Sequence, residues 1–271
     1  MRKVIISLAP VKAGEEVNAE KLAKDVEKSV QLGASMCHLH CRRPDGSLTP
    51  DISYMTECFE EILKRTDVVV QASTGGVSDM DIQKRCNPLE YEKVETASLN
   101  GGTTNLGESV YINSFDDIRY CAKAVYERGI LQETEVFDIG MIHNMALVRE
   151  EQPFAEPMLF NLVFGHKGGM QPTPEMLTAF WSFVPSDALW GVTHFGRDNW
   201  SFLAMAIAMG ASVVRIGFED SDYLNEGERA VYNYQLVERL AALIRLMGLE
   251  TASPDEAREL LRLKTRKIRQ R

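Results

Sequence analysis

The sequence alternates eight times between a short apolar segment of strand length and a longer segment with helical spacing, and this alternation restricts the possible folds more than any other feature. Strands are expected at 4–9, 36–41, 68–73, about 93–99, 131–137, 158–164, 188–195 and 212–218. Helices are expected between them, at 19–31, 52–64, 81–86, 116–128, from Met141, from Pro174, at 200–209 and at 228–247, with a further C-terminal helix at about 254–266. Local punctuation fits these boundaries. Gly33 and Gly129 stop helices, Pro44-Asp45-Gly46 signals a turn, and Pro174 stands where the first turn of a helix tolerates proline. Units recurring at roughly 30 residues, without a linker or a break in composition, describe a single (β/α)8 TIM barrel over residues 1–271. An open doubly wound sheet uses the same units, but neither GxGxxG after the first strand nor GxxxxGK[ST] is present to support it.

In a TIM barrel the reacting groups come from the C-terminal ends of the strands. Polar residues cluster there: Ser7, then His38 and His40, Gln71 and Ser73, Thr96, Ser98 and Asn100, Glu133 and Glu135, Asn161, His194, and Arg215 with Glu219. Most recur at every second position, the spacing that places side chains on one face of a strand. Polar groups facing a barrel interior need partners. They are therefore read as a site, with a structural polar layer as the alternative for any one of them.

His38 and His40 stand out within that set, because two imidazoles on one strand face can reach one divalent cation. One core and one surface histidine is the plainer alternative. Strand eight closes the barrel beside strand one, with strand two next along, so Glu219 is sterically placed as a third ligand. Two histidines and a carboxylate leave coordination positions open for water or substrate, as in catalytic zinc sites, and the same set suits ferrous iron.

Charge and cysteine usage narrow the partner. A net charge of −9 argues against a nucleic-acid or anionic-membrane surface and points to a small-molecule partner. The five cysteines lack CxxC spacing, no apolar run approaches the length of a membrane span, and the first residues lack the apolar stretch of a signal peptide. A cytoplasmic protein is expected.

Six stretches carry a family resemblance that runs in order along essentially the whole chain. They are His-Leu-His-Cys-Arg (38–42), Gln-Ala-Ser-Thr-Gly-Gly (71–76), Ala-Ser-Leu-Asn-Gly-Gly-Thr (97–103), Glu-Val-Phe-Asp-Ile-Gly-Met (135–141), Gly-His-Lys-Gly-Gly-Met (165–170) and Arg-Ile-Gly-Phe-Glu-Asp (215–220). Together they resemble the β-keto acid cleavage enzymes. The resemblance implies a zinc-bearing (β/α)8 barrel, assembled as a homotetramer, that reacts a β-keto acid with acetyl-CoA to give acetoacetate and a new acyl-CoA. It implies that His38, His40 and Glu219 hold Zn2+, that Asp220 is the base with Arg215 beside it, and that Glu135 is a further acidic site residue. Ser73, with the amides of Thr74 and Gly75, matches the substrate-carboxylate turn, and Ser98 matches a position usually filled by threonine. Arg42, Lys167 and Arg197 are read as solvated charge, with CoA phosphates as their alternative partners. A metal-dependent aldolase or hydrolase acting without CoA is the rival function, and a scaffold barrel with a dead site is the non-enzymatic one. In members acting on an aminated keto acid, a glutamate in the loop after the first strand meets the ammonium. Here an ungapped match puts Gly14 at that place, beside Lys12 and Glu15, so a neutral or anionic tail is expected.

Overall fold

The computed structural model describes residues 1–77 and 79–263. Eight strands pair in parallel and in chain order: β1 (Lys3–Leu8), β2 (Ala34–Leu39), β3 (Val69–Ser73), β4 (Thr96–Asn100), β5 (Leu131–Val136), β6 (Leu159–Phe164), β7 (Leu189–His194) and β8 (Val213–Ile216). The last pairs with the first, setting Ser7 opposite Arg215, so the sheet closes into the expected (β/α)8 barrel. Nine α-helices are described: α1 (Ala19–Gln31), α2 (Ser53–Leu63), α3 (Ile82–Arg85), α4 (Phe115–Glu127), α5 (Ile139–Glu151), α6 (Pro174–Trp181), α7 (Ser201–Ala208), α8 (Asn233–Leu246) and α9 (Pro254–Leu260).

The first unit shows how the sequence dictates this geometry. Ala23 and Val26 recur at helical spacing and are buried against the barrel, while Asn18 caps the helix by accepting from Lys21 N at 3.0 Å. Gly33 then ends the unit at φ +122°, where a Cβ would meet the Thr251 hydroxyl at 2.9 Å.

Strand parity separates two cores. Val4, Ile6, Leu8, Cys37 and Val70 face outward and pack under the helices. Ile5, Met36, Val69, Leu131, Leu159 and Val213 face inward and fill the N-terminal half of the barrel, where Ala257 and Leu261 from α9 and its end close the floor. Burial of each such large aliphatic side chain is worth about 1.5–3 kcal/mol, so this apolar plug stabilises the barrel without help from the polar layers above it.

Some boundaries differ from the sequence expectation. Residues 93–95 lie outside the fourth strand, whose ladder begins at Thr96; Glu95 instead forms an ion pair with Arg258 of α9 at 2.6 Å. The helix expected from 228 begins at Asn233. Tyr223–Asn225 pairs antiparallel with Glu228–Arg229 around Gly227, which has φ +74°. The helix-favouring Glu and Arg are thereby drawn into a small hairpin, and tertiary pairing overrides propensity. The amides of Asn233 and Tyr234 then start α8 by donating to the Asp25 carboxylate of α1 at 3.0 and 3.1 Å. A second hairpin, Thr104–Leu106 with Ser109–Tyr111, occupies what the sequence shows only as a loop. The C-terminal helix ends at Leu260 rather than near 266, and residues 264–266 lie outside the described residues.

Candidate metal centre and active site

Above the apolar plug, the inward-facing residues change to polar ones that bond to each other around the barrel. Thr193 Oγ1 donates to Asn161 Oδ1 at 3.0 Å, and Asn161 Nδ2 to Glu133 Oε1 at 3.0 Å. Gln71 Nε2 donates to the other Glu133 oxygen at 3.2 Å, and Gln71 Oε1 lies 2.8 Å from His38 Nδ1. Because the amide nitrogen of Gln71 is committed to Glu133, its oxygen accepts, and His38 must carry its proton on Nδ1. The lone pair is left on Nε2. Burial pulls the His38 pKa down to about 3, so the ring is neutral. The same burial raises the carboxyl of Glu133.

His38 Nε2 is buried and has no hydrogen-bond partner among the described residues. It lies 3.8 Å from Glu219 Oε1, and His40 Nε2 lies 3.3 Å from that same oxygen. The ligand atoms of His38, His40 and Glu219 all fall within 4.8 Å of one another. Ligands at 2.0–2.1 Å in a tetrahedral zinc site stand about 3.3–3.4 Å apart, so the three groups need little movement to share one cation. The orphaned nitrogen, and the tautomer fixed from behind by an amide, are what a metal ligand requires. The donor set fits Zn2+. His40 lies one residue beyond the end of β2, and its ring meets His38 edge-on, with centroids 5.2 Å apart.

Glu219 is delivered by the loop after β8. At Gly217, φ is +144° and a Cβ would stand 2.1 Å from the Ala9 carbonyl oxygen. Only glycine permits that approach. Glu219 N then donates to Ala9 O at 3.1 Å, and Phe218 N to Asn233 Oδ1 at 2.9 Å, which stitches the loop to the end of β1 and the start of α8. Burial opposes ionisation of Glu219, but His40, Arg215 and His38 together hold its carboxyl well below the usual range.

Arg215 organises the remaining carboxylates. It grips Asp220 with two bonds, Nε to Oδ2 at 3.0 Å and Nη2 to Oδ1 at 2.6 Å. It also donates to Glu135 Oε1 at 3.0 Å and to Glu219 Oε1 at 3.1 Å. A forked guanidinium fixes carboxylate orientation as well as charge. Burial nevertheless raises the Asp220 carboxyl, with the Arg215 contact offsetting only part of it, and pushes Glu135 up to about 7. A buried, oriented and more basic carboxylate beside a metal ligand suits proton abstraction.

At the end of β3, Ser73 Oγ lies 3.4 Å from Ser98 Oγ and accepts from Gly75 N at 3.2 Å. The Thr74 hydroxyl instead donates to Ser98 O at 2.6 Å and faces Cys121, so Thr74 offers the site only its backbone. Parity corrects one expectation: His194 points outward onto Phe202 of α7, and Thr193 takes the inward place. Arg197 is likewise not solvated. It is buried, donates to Tyr223 O at 2.8 Å and stacks 4.0 Å from the Trp200 ring. Arg42 bonds the Gly46 carbonyl at 2.8 Å, and exposed Lys167 pairs with Glu108. Tyr111 and Arg85 were not singled out from the sequence. Tyr111 belongs to the unforeseen hairpin, and its hydroxyl stands 2.5 Å from where a Gly75 Cβ would be.

Comparison with known proteins gives a consistent result. The family model described as beta-keto acid cleavage enzyme matches residues 10–263. A 3-keto-5-aminohexanoate cleavage enzyme of Fusobacterium nucleatum is 38% identical over 90% of this chain and 89% of its own length. A 3,5-dioxohexanoate:acetyl-CoA acetone transferase of Paraburkholderia graminis is 29% identical over 97% of this chain and 96% of its own length. The apo structure of ObcA superposes with a TM-score of 0.78 over 92% of this chain, which spans 66% of that structure; at 15% identity the likeness concerns the fold alone.

Proposed function

This chain belongs to the beta-keto acid cleavage enzyme family, and from that membership we propose that it uses acetyl-CoA to convert a β-keto acid into acetoacetate and a new acyl-CoA, with one Zn2+ held by His38, His40 and Glu219. The observation that carries this reading is the convergence of the three ligands, with His38 Nε2 buried and unpartnered, beside the Arg215–Asp220 pair. The acetyl-CoA named in the description of the Paraburkholderia relative supports the second substrate.

When bound by His38, His40 and Glu219, the zinc ion would supply Lewis-acid polarisation of the substrate's keto group, making the C2 protons more acidic. Ser73, with the turn amides of Thr74 and Gly75, holds the carboxylate. Asp220, oriented by Arg215, takes one C2 proton. The C2 carbanion attacks the acetyl carbonyl, forming a carbon–carbon bond as the CoA thiolate leaves. That thiolate adds to the original keto carbon, and the bond between this carbon and C2 breaks. The proton on Asp220 then returns to C2, which completes acetoacetate and leaves the substrate's tail on CoA. Glu135, bonded to the same arginine, keeps the guanidinium in place.

The family resemblance supports a homotetramer. All five cysteines are free thiols, as a cytoplasmic setting would preserve, and no helix among the described residues is long and apolar enough to cross a membrane.

The loop after β1 bears on the substrate's tail. Glu15 is tied to Lys12 at 3.1 Å, with both side chains more than half exposed, so its carboxylate is already engaged rather than standing in for the one missing at Gly14. In a screen of β-keto acids with acetyl-CoA, followed by the mass of new acyl-CoA species, 3-ketohexanoate is expected to exceed 3-keto-5-aminohexanoate in kcat/KM. An ammonium beside Lys12 and without its carboxylate is poorly stabilised on leaving water. A clear preference for the aminated acid that disappears in Glu15→Gln would refute this specificity.

A further inference from the structure

Arg85, on α3, is only 6% exposed, and among the described residues no carboxylate lies within ion-pair distance of it. Other deeply buried arginines are treated differently. Arg215 meets Glu135, Glu219 and Asp220, and Arg258 meets Asp67 and Glu95. Arg197 also lacks a carboxylate within ion-pair distance, but its guanidinium lies on an indole face. Among the described residues Arg85 has one polar side-chain contact, Nη2 to Asn113 Oδ1 at 3.0 Å, while its Nε is buried with no partner among them and the Tyr111 ring stands 5.5 Å from Cζ. A buried cation left in that state costs free energy, and the cost is recovered when an anion arrives.

The place of Arg85 indicates which anion that is. It borders a narrow gap of about 10 Å³, room for about one water, that is also walled by His40, Ser73 and Gly75. A proposed metal ligand and the carboxylate-binding turn therefore border the same space as the guanidinium. The Tyr111 hydroxyl packs closely against Gly75, and Asn113, which holds Arg85, is itself fixed by a bond from its amide to Thr103 Oγ1 at 2.9 Å. Lys84, which also borders the gap, is more than half exposed and already paired with Asp81.

We propose that Arg85 binds the substrate's carboxylate from behind the Ser73–Gly75 turn and so makes the enzyme select an acid over the corresponding neutral ester; this rests on the β-keto acid reading above. Charge-assisted donation from a guanidinium adds to the hydroxyl and amide donors of the turn. A ligand without the carboxylate leaves the cation buried and uncompensated, and sites built around an obligatory polar partner discriminate strongly against analogues lacking it.

The test is calorimetric titration of the zinc-loaded protein, without acetyl-CoA, using 3-ketohexanoate and its methyl ester. The wild-type protein is expected to prefer the acid, and Arg85→Gln to reduce that preference by about 10–100-fold while the ester's own Kd stays nearly constant. Arg85→Lys, which keeps the charge but loses the fork, is expected to fall between them. A merely structural role would weaken acid and ester together, lower Tm and leave their ratio unchanged. An unchanged ratio in either variant therefore overturns the assignment. Failure of the wild-type protein to bind the acid at all would instead overturn the β-keto acid reading, and this inference with it.

Discussion

Asp220→Asn is expected to lower kcat by about 10²–10⁴-fold, the usual cost of losing a general base, while zinc content and binding of the keto acid remain near those of the parent. The separation follows from the geometry. Asp220 is held by Arg215 through two hydrogen bonds and is not among the three groups that converge on the cation position. Asparagine fills the same volume, but its amide presents one acceptor where Arg215 finds two, and it cannot take up a proton from C2. Exchange of the substrate's C2 hydrogens with deuterated solvent, measured without acetyl-CoA, isolates this step. Near-normal exchange in the variant would remove Asp220 from the role of base.

His38→Ala should abolish activity by another route. Bound zinc is expected to fall from about one equivalent per chain to a small fraction of that, because two remaining ligands do not make a zinc site. The chain should stay folded. The substitution leaves Gln71 Oε1 without its partner, a loss of about 1–3 kcal/mol for a buried acceptor. The plug formed by Ile5, Met36, Val69, Leu131, Leu159 and Val213 lies below that layer and is untouched. Chelation provides a readout independent of turnover: it should lower the Tm of the parent, whose native state binds the ion, and leave that of the variant unchanged. Full zinc occupancy in purified His38→Ala would show that the cation sits elsewhere.

Much of this was legible in the sequence because periodicity and barrel geometry reinforce each other. The polar residues at every second position of the strands do face the interior, from Gln71 and Ser98 to Glu133, Asn161 and Arg215. Where the parity of a strand was ambiguous, the reading slipped by one residue. In Thr193-His194 both side chains are polar, and it is the bond to Asn161 that selects threonine for the interior. Hairpins were less legible than helices. Glu228 and Arg229 favour a helix, but Gly227 at positive φ and the ion pair from Arg229 to Asp222 at 2.8 Å turn them back as a strand. Arg85 was hidden for a different reason. A basic residue in the last turn of a short helix reads as solvated charge, and only the packing of Tyr111 and Asn113 over it makes the burial visible.

The fate of the acetyl group tests the proposed reaction most directly. With acetyl-CoA labelled by ¹³C at the acetyl carbonyl and an unlabelled β-keto acid, the label should appear at C3 of acetoacetate, and the new acyl-CoA should carry the substrate's tail without label. Cleavage that proceeds equally well without acetyl-CoA, or an acyl-CoA product that keeps the label while acetoacetate has none, would contradict the condensation and assign the metal site to a different chemistry.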